Sequence, residues 1–161
     1  MNEPWRRFLP DPMATEQLGA ELAAQLRPGD LVLLRGPLGA GKTTLVRGLV
    51  RALGGDPAEV CSPTFILRET YALGGVHGIR ALHHLDLYRL RGRPQSPWLE
   101  LGLGELLDDP GAITAVEWPE DLPPTGLAPR VLHLLLQWEG DGRAVEGHWE
   151  TEPGLGPPSS V

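Results

Sequence analysis

The feature that most constrains the fold is a glycine-rich segment, Gly36–Thr43, which reads Gly-Pro-Leu-Gly-Ala-Gly-Lys-Thr. It follows the continuous apolar run Leu31–Leu34, which is typical of a strand buried in a parallel sheet. A helix is predicted to begin near Lys42, because apolar residues recur at helical spacing until Gly54 and Gly55 end the pattern. A strand, a glycine-rich loop and a helix within about thirty residues predict the first unit of a doubly wound α/β fold.

The spacing of this segment, G-x-x-x-x-G-K-[ST], is a phosphate-binding pattern. Glycines let the backbone wrap closely around an anion, and successive amide N–H groups then point inward at the positive end of the helix dipole. Lys42 is placed to reach the β- and γ-phosphates, and the Thr43 hydroxyl to ligate Mg²⁺. Lys42 is the only lysine beside thirteen arginines, which argues against a chance match. We therefore interpret Gly36–Thr43 as a phosphate-binding loop, the P-loop.

Two carboxylates are candidates for completing such a site. Glu117 directly follows the apolar run Ala112–Val116, so it is predicted at the carboxyl end of a second buried strand, where it could position Mg²⁺ and water. Asp86 lies in the alternating segment His83–Leu90, whose leucines and tyrosine are typical of packing positions. Either acid could instead be a solvated carboxylate at a strand end. His83 and His84 are adjacent on a predicted strand and face opposite sides, so we interpret them as core or surface residues rather than as a metal chelate.

The remaining segments predict a single domain over residues 1–150. Its other elements are, in chain order, a helix from Asp11–Pro12, strands at 65–71 and 81–87, a short helix at 98–107, and a hairpin of 130–138 and 143–149 around Glu139–Gly142. Cys61 is expected to be buried or half-buried, since nothing nearby would activate it as a nucleophile. The tail, residues 151–161, is predicted to be disordered.

Charge and composition narrow the function classes. The 161 residues carry a formal net charge of −7, which disfavours non-specific nucleic-acid binding, because neutralising phosphates needs clustered Lys and Arg. Apolar residues make up 41% of the chain, enough for a core, but no run reaches the roughly 20 that a membrane-spanning helix needs. The first residues lack the apolar region of a signal peptide, and a single cysteine excludes an internal disulfide. We expect a cytoplasmic protein with no membrane partner.

Four segments, taken in order and spacing, carry a more specific resemblance. They are Gly36–Thr44, Ser62–Phe65, His84–Leu90 and Glu117–Glu120. Together they resemble the TsaE family, the bacterial ATPase of tRNA threonylcarbamoyladenosine synthesis, over roughly residues 8–149. The resemblance implies a P-loop NTPase-like three-layer α/β fold, with a mainly parallel central sheet and a C-terminal β-hairpin. It also implies ATP and Mg²⁺ as cofactors, and the TsaB and TsaD proteins as partners. The ATP cycle would support repeated turnover of TsaD, the threonylcarbamoyl transferase, and tRNA would be reached only through that complex.

The resemblance assigns roles to residues by position. Those implied to be catalytic are Lys42, Asp86 and Glu117, and those implied to hold Mg²⁺ are Thr43, Glu117 and Asp86, the last directly or through water. Those implied to bind the nucleotide are Leu38, Gly39, Ala40, Gly41, Lys42, Thr43, Thr44, Thr64, Trp118, Pro12 and Arg143. Within this set Thr64 matches a switch threonine that senses the γ-phosphate, although Ser62–Thr64 alone is also ordinary turn chemistry. Pro12 and Arg143 are expected to border the adenine.

Two other functions share the P-loop. A small-molecule kinase would add an acceptor pocket and an arginine-bearing lid, for which Arg89, Arg91 and Arg93 are the available candidates. A nucleotide-gated binding module would bind ATP to control docking, with negligible hydrolysis. The segment after Leu90 departs from the family, since Arg91–Trp98 stands where an acidic stretch is usual. We therefore expect the partner-facing surface to differ between residues 90 and 107.

Overall fold

Seven strands form one mixed sheet in the computed structural model, which describes residues 3–62, 67–93, 101–123 and 126–152. These strands are β1 (Trp5–Leu9), β2 (Leu31–Arg35), β3 (Arg68–Ala72), β4 (Ala81–Asp86), β5 (Ala112–Glu117), β6 (Arg130–Glu139) and β7 (Gly142–Thr151). Their order across the sheet is β1-β7-β6-β2-β5-β4-β3. The α-helices of the described residues are α1 (Pro12–Ala23), α2 (Lys42–Ala52) and α3 (Leu103–Leu107), and short 3₁₀ turns lie at Pro57–Glu59, Val76–Gly78 and Tyr88–Leu90.

The centre of the sheet is parallel. Strand β2 pairs in parallel with both β5 and β6, and β5 pairs in parallel with β4, whereas the three outer pairs are antiparallel. Parallel strands end at the same edge of a sheet, and the register here places Leu34 opposite Glu117 and Glu117 opposite Asp86. The predicted mainly parallel central sheet is confirmed. The two candidate acids therefore lie on neighbouring strands, at the edge from which the P-loop leaves β2.

Both ends of the chain contribute antiparallel strands. Strands β6 and β7 form the predicted hairpin, with Glu139 paired to Gly142 across the turn. Strand β1 was not predicted, and it pairs with β7 at the edge of the sheet. Only its two ends turn inward, with Leu9 buried and Trp5 packed against the core, while the residues between them are exposed. That pattern has no clear period of two, so the strand is specified by its pairing with β7 rather than by local sequence.

The sheet carries helices on both faces, as the three-layer prediction requires. On one face, α1 and α2 pack over a cluster that includes Val32 and Leu34 of β2. On the other face, α3 packs with Leu31 and Leu33 of the same strand. Because β2 is buried on both sides, its sequence is continuously apolar rather than alternating. This double burial fixes the strand that carries the P-loop.

The smaller predictions have mixed outcomes. Helix α1 begins as predicted, with the Asp11 carboxylate accepting the amide N–H of Ala14 at 2.8 Å. Strands β3 and β4 are the predicted pair, and α3 lies within the predicted helix 98–107; residues 65, 66 and 98–100 lie outside the described part of the chain. The expectation for Cys61 was wrong: it is exposed, because it lies in a loop after a 3₁₀ turn. Strand β7 extends to Thr151, and residues 153–161 of the predicted tail lie outside the described residues. No described helix is long and apolar enough to cross a membrane.

Helices α1 and α2 approach each other through two glycines. A Cβ atom built on Gly48 of α2 would lie 1.9 Å from the carbonyl oxygen of Glu16, and one on Gly19 of α1 would lie 2.3 Å from the carbonyl oxygen of Leu45. Both neighbours are backbone atoms, which cannot turn aside as a flexible side chain could. The absence of side chains at this crossing therefore lets α1 pack directly against the helix that follows the P-loop.

We expect Gly48→Ala to destabilise the fold. Forcing the two helices apart should cost about 1–3 kcal/mol, more than the gain of up to about 1 kcal/mol from placing alanine inside a helix. The measurement is the free energy of unfolding from urea titration, with Gly104→Ala in α3 as the matched control. A Cβ on Gly104 meets no atom within 4 Å, so the control should be neutral or stabilising. Equal stability of the two variants would contradict the close crossing.

Candidate nucleotide-binding site

The P-loop is held at both ends by neighbouring elements. Gly36 has φ 143° and Gly41 has φ 103°, a region that side chains disfavour. A Cβ atom on Gly36 would lie 2.2 Å from the carbonyl oxygen of Leu136 in β6, and one on Gly41 would lie 3.2 Å from the Thr15 side chain in α1. Glycine is thus required at the start of the loop by close packing as well as by conformation. The loop passes directly into α2, whose amino end lies at Lys42.

The Lys42 side chain is folded back onto its own loop. Its ammonium donates hydrogen bonds to the carbonyl oxygens of Gly36 at 2.5 Å and Pro37 at 3.0 Å. It also lies 4.3 Å from the centroid of the Trp118 ring, a cation–π contact. Burial lowers the pKa of Lys42, and the opposite charges of Glu117, Asp86 and Glu120 act against that shift. The one lysine is therefore held beside the P-loop on partners that an incoming anion could replace.

Glu117 and Asp86 are both buried, at 3% and 2% exposure, so neither is the solvated carboxylate of the alternative interpretation. The Glu117 oxygen Oε2 accepts a hydrogen bond from the Thr43 hydroxyl at 2.9 Å. The Asp86 oxygen Oδ1 accepts the amide N–H of Tyr88 at 2.9 Å, and Oδ2 accepts the Ser62 hydroxyl at 3.1 Å. The two acids are thus oriented by hydrogen bonds rather than left free in solvent.

A cleft of about 300 Å³ brings the predicted residues together. It is lined by Leu38, Gly39, Gly41, Lys42, Thr43, Thr44, Ser62, Asp86, Glu117 and Trp118. Ala40, although part of the P-loop, is fully buried in the core instead. The predicted switch residue Thr64 lies outside the described residues. The cleft thus collects the loop, the lysine and both acids around one space.

Trp118 forms one wall of this cleft. It follows Glu117 with φ 59°, an unusual value for a tryptophan, and its amide N–H donates to the carbonyl oxygen of Leu34 at 3.2 Å. Tyr88 meets its ring edge-on, with centroids 4.9 Å apart, and the Arg91 guanidinium lies 4.8 Å from the same ring. The ring therefore has a cation on Lys42 and another on Arg91 as neighbours.

A second cleft, of about 260 Å³, adjoins the first through Gly39, Gly41 and Thr44. It places Pro12 and Arg143, which are 131 positions apart in the sequence, on the same space. The Arg143 guanidinium donates to the carbonyl oxygen of Gly39 at 3.1 and 3.2 Å, and lies 3.2 Å from the centroid of the Trp138 ring. The tip of the β6–β7 hairpin thereby contacts the P-loop directly.

The oxygen donors of the first cleft fit a magnesium ion. Thr43, Asp86 and Glu117 offer a hydroxyl and two carboxylates, the hard ligands that Mg²⁺ takes, and Mg²⁺ needs only one or two protein oxygens when phosphate and water supply the rest. In the described part of the chain no group of three or more His, Cys, Asp or Glu residues could hold a metal by itself.

Comparison with known proteins supplies the family. The profile described as "Threonylcarbamoyl adenosine biosynthesis protein TsaE" matches residues 9–145. The chain belongs to the TsaE family. It is 49% identical over 122 residues to the tRNA threonylcarbamoyladenosine biosynthesis protein TsaE of Synechocystis sp., covering 72% of this chain and 71% of that protein. Membership places the chain in tRNA threonylcarbamoyladenosine biosynthesis.

Two further TsaE comparisons support the family. The TsaE protein of Rickettsia felis is 40% identical over 106 residues, an alignment that spans 66% of this chain and 57% of that protein. A crystal structure of Bacillus subtilis YdiB superposes with a TM-score of 0.65 at 26% identity, and covers 91% of this chain and 86% of that one. The family match over residues 9–145 contains the P-loop, both acids and the hairpin tip.

One buried neighbour of the site was not predicted from the sequence. His84 is fully buried, and its Nε2 lies 2.6 Å from Glu117 Oε2. The interpretation that the two histidines face opposite sides is confirmed, since His83 instead contacts Thr70 and Asp109. Strand alternation places His84 on the same side as Asp86, and that signal could have directed attention to it. Its partner, however, is 33 residues away on another strand.

Proposed function

We propose that this chain is a magnesium-dependent ATPase that acts with TsaB and TsaD in the modification of tRNA. The observation that carries the proposal is the cleft in which the P-loop, Lys42 and two buried carboxylates meet. A loop that only shaped a turn would need neither a buried lysine nor two buried acids, and burying charged groups costs free energy. TsaE family membership supplies the biological setting.

The phosphates would bind along the P-loop backbone. Amide N–H groups at the amino end of α2 carry the positive end of the helix dipole, and they would donate to phosphate oxygens. Lys42 would exchange its two carbonyl partners, Gly36 and Pro37, for the β- and γ-phosphates. This exchange replaces neutral acceptors with charged ones, and charge-assisted hydrogen bonds are roughly twice as strong.

Thr43 and Glu117 would hold Mg²⁺, with Asp86 near enough in the same cleft to contact it directly or through water. When bound, Mg²⁺ neutralises charge that develops on the β- and γ-phosphate oxygens. The Thr43 hydroxyl now donates to Glu117, so the same two groups are already in contact and would turn their oxygens towards the ion. No rearrangement of the strands is needed for this.

Asp86 is the residue proposed to orient the attacking water. Its two oxygens accept from Tyr88 and Ser62, which fixes the plane of the carboxylate at the edge of β4. A carboxylate in a fixed orientation can accept a hydrogen bond from water and direct it towards the γ-phosphate. Thr64, the proposed switch residue, would add the γ-phosphate sensor.

The partners follow from charge and family. A chain with net charge −7 has little capacity to neutralise a tRNA backbone, so tRNA would be held by TsaB and TsaD. The test is phosphate release from Mg·ATP, first by this protein alone and then with TsaB, TsaD and tRNA added. Slow release that changes on adding the partners supports the proposal. If the rate of phosphate release is the same with and without the partners, the protein is an ATPase with another role. Phosphate transferred to a small-molecule acceptor would show that it is a kinase.

Arg143→Ala should weaken ATP binding by roughly tenfold. The side chain is a double donor to the Gly39 carbonyl, and hydrogen bonds from a charged donor contribute about 1.5–3 kcal/mol, part of which water replaces at this exposed edge. The measurement is the Kd for ATP by calorimetric titration. The matched control is Arg6→Ala, an arginine that pairs with Glu139 and Glu146 of the same hairpin but lies outside both clefts. A similar loss in both variants would show that hairpin stability, not the P-loop contact, governs binding.

A further inference from the structure

A chain of buried polar side chains that does not line the cleft leads to Glu117. His84 is completely buried, and Tyr71 is 1% exposed. Tyr71 belongs to β3, His84 to β4 and Glu117 to β5, so the three side chains cross three neighbouring strands. The Tyr71 hydroxyl lies 3.0 Å from His84 Nδ1, and His84 Nε2 lies 2.6 Å from Glu117 Oε2. The P-loop function proposed above uses Glu117 but neither of the other two.

The direction of these hydrogen bonds follows from the chemistry of the groups. An ionised carboxylate only accepts, so His84 Nε2 must carry the proton that it shares with Glu117. In the neutral ring Nδ1 then accepts, and the single proton of the Tyr71 hydroxyl goes to it at 3.0 Å rather than to the Cys61 carbonyl oxygen, which is farther away at 3.4 Å. Burial raises the pKa of Tyr71 to about 12, so this hydroxyl keeps its proton at physiological pH. One tautomer of the imidazole is thus selected by its neighbours.

Two hydrogen bonds converge on a single oxygen atom of Glu117. Oε2 receives the hydrogen bond from His84 and also that from the Thr43 hydroxyl at 2.9 Å. Two donors on one oxygen fix the plane of the carboxylate, which otherwise rotates freely about its last bond. When Thr43 turns its hydroxyl oxygen to a metal ion, His84 remains as the contact that keeps the carboxylate in place.

We infer that His84 is a positioning residue that orients Glu117 for Mg²⁺, with Tyr71 holding the imidazole in the required tautomer and orientation. The inference rests on the proposed function, because it deepens the role of Glu117 in that site. Hydrogen-bond partners behind metal ligands typically change metal affinity by roughly 10- to 100-fold when removed. His84 contacts Glu117 but does not line the cleft, so its effect on the ion would pass through Glu117.

The neighbouring histidine provides an internal control. His83 is also on β4 and is 7% exposed, but it faces the opposite side of the sheet. There it contacts the Thr70 hydroxyl at 2.9 Å and the Asp109 carboxylate at 3.0 Å. A histidine that merely stabilises strand β4 would be expected to behave like His83. A histidine that orients a metal ligand would not.

The experiment measures the Kd for ATP with excess Mg²⁺ and again with EDTA, and takes the ratio as the magnesium enhancement. His84→Leu should reduce this enhancement by roughly 10- to 100-fold and leave the EDTA value nearly unchanged, because the P-loop is intact. His84→Gln, whose amide can donate near the position of Nε2, should restore most of the enhancement. Tyr71→Phe should reduce it in the same direction but less. His83→Leu should keep it at the wild-type value.

The outcomes separate this inference from the function on which it rests. If the wild-type protein shows no magnesium enhancement, the proposed magnesium site is wrong, and the inference falls with it. If the wild type shows enhancement and folded His84→Leu retains it, only the positioning role is overturned. An equal loss in His83→Leu would also overturn it, because the effect would then belong to the strand as a whole. If His84→Leu does not fold, the magnesium enhancement of Tyr71→Phe and of His84→Gln tests the positioning role instead.

Discussion

Lys42→Ala should lower kcat/KM for ATP hydrolysis by roughly 100- to 1,000-fold, the loss typical of removing one preorganised donor to developing charge. The reason is geometric as well as electrostatic. The ammonium is 4% exposed and already lies on the carbonyl oxygens of the P-loop, so it reaches a phosphate without ordering a long side chain. No other lysine exists to substitute for it.

The control for this variant is Arg51→Ala. Arg51 is a cation in the last turn of the same helix, and it pairs with Glu16 on the surface. Removing it changes the net charge equally but should leave kcat/KM within about twofold, since exposed ion pairs contribute about 0–1 kcal/mol. Near-normal hydrolysis by folded Lys42→Ala would contradict the assignment of Gly36–Thr43 as the phosphate-binding loop.

Asp86→Asn should reduce kcat by roughly 100- to 10,000-fold, the range of a group that directs proton movement or water attack. The Kd for ATP should change by less than about threefold, because Lys42, the P-loop and the two residues proposed to hold Mg²⁺, Thr43 and Glu117, all remain. Asparagine has nearly the same shape, and its carbonyl oxygen can still accept the Tyr88 amide. The change therefore removes the negative charge with little disturbance of the edge of β4. Single-turnover hydrolysis and ATP titration measure the two quantities separately.

This variant distinguishes an enzyme from a nucleotide-gated binding module. For a module, wild-type hydrolysis would be negligible, and Asp86→Asn would bind both ATP and partners normally with no catalytic loss. For an ATPase, partner binding persists while turnover stops. Asp109→Asn is the matched control, since Asp109 contacts His83 on the far side of the same strand. Equal losses of kcat in the two variants would indicate a structural effect on β4.

The parts of the fold that could be predicted have contiguous signals in the sequence. The apolar strand β2, the P-loop and helix α2 follow one another without interruption, and the hairpin of β6 and β7 has its turn residues between two extended runs. The order of the strands in the sheet could not be predicted in this way, because it depends on pairing between strands that are far apart in the sequence. Strand β1 had no local signal at all, and its pairing with β7 spans most of the chain.

The candidate site divides in the same way. The loop residues could be selected from the motif and Glu117 from its strand end, whereas the role of Asp86 came from the family resemblance; the structure brings all of them to one cleft. The partner of His84 could not be predicted from such local signals. Its hydrogen bond to Glu117 joins β4 and β5, and no local sequence pattern determines the register between these two strands. The same holds for Arg143: the family resemblance implied a place beside the adenine, but not the contact with Gly39. Contacts between side chains on different strands can be predicted only once the register of those strands is known.

The position of β2 between β5 and β6 sets the order in which this protein can acquire activity as it is synthesised. The P-loop and its helix leave the ribosome early, yet one edge of β2 stays unpaired until β5 (Ala112–Glu117) has followed, and the other until β6 (Arg130–Glu139) has followed. Until then, the apolar faces of α1 and α2 lack most of the strands against which they pack. Apolar surface exposed in this way is what chaperones recognise. Since such distant pairings also fold slowly, nucleotide binding should emerge late and abruptly, when the last strands close the sheet around the loop.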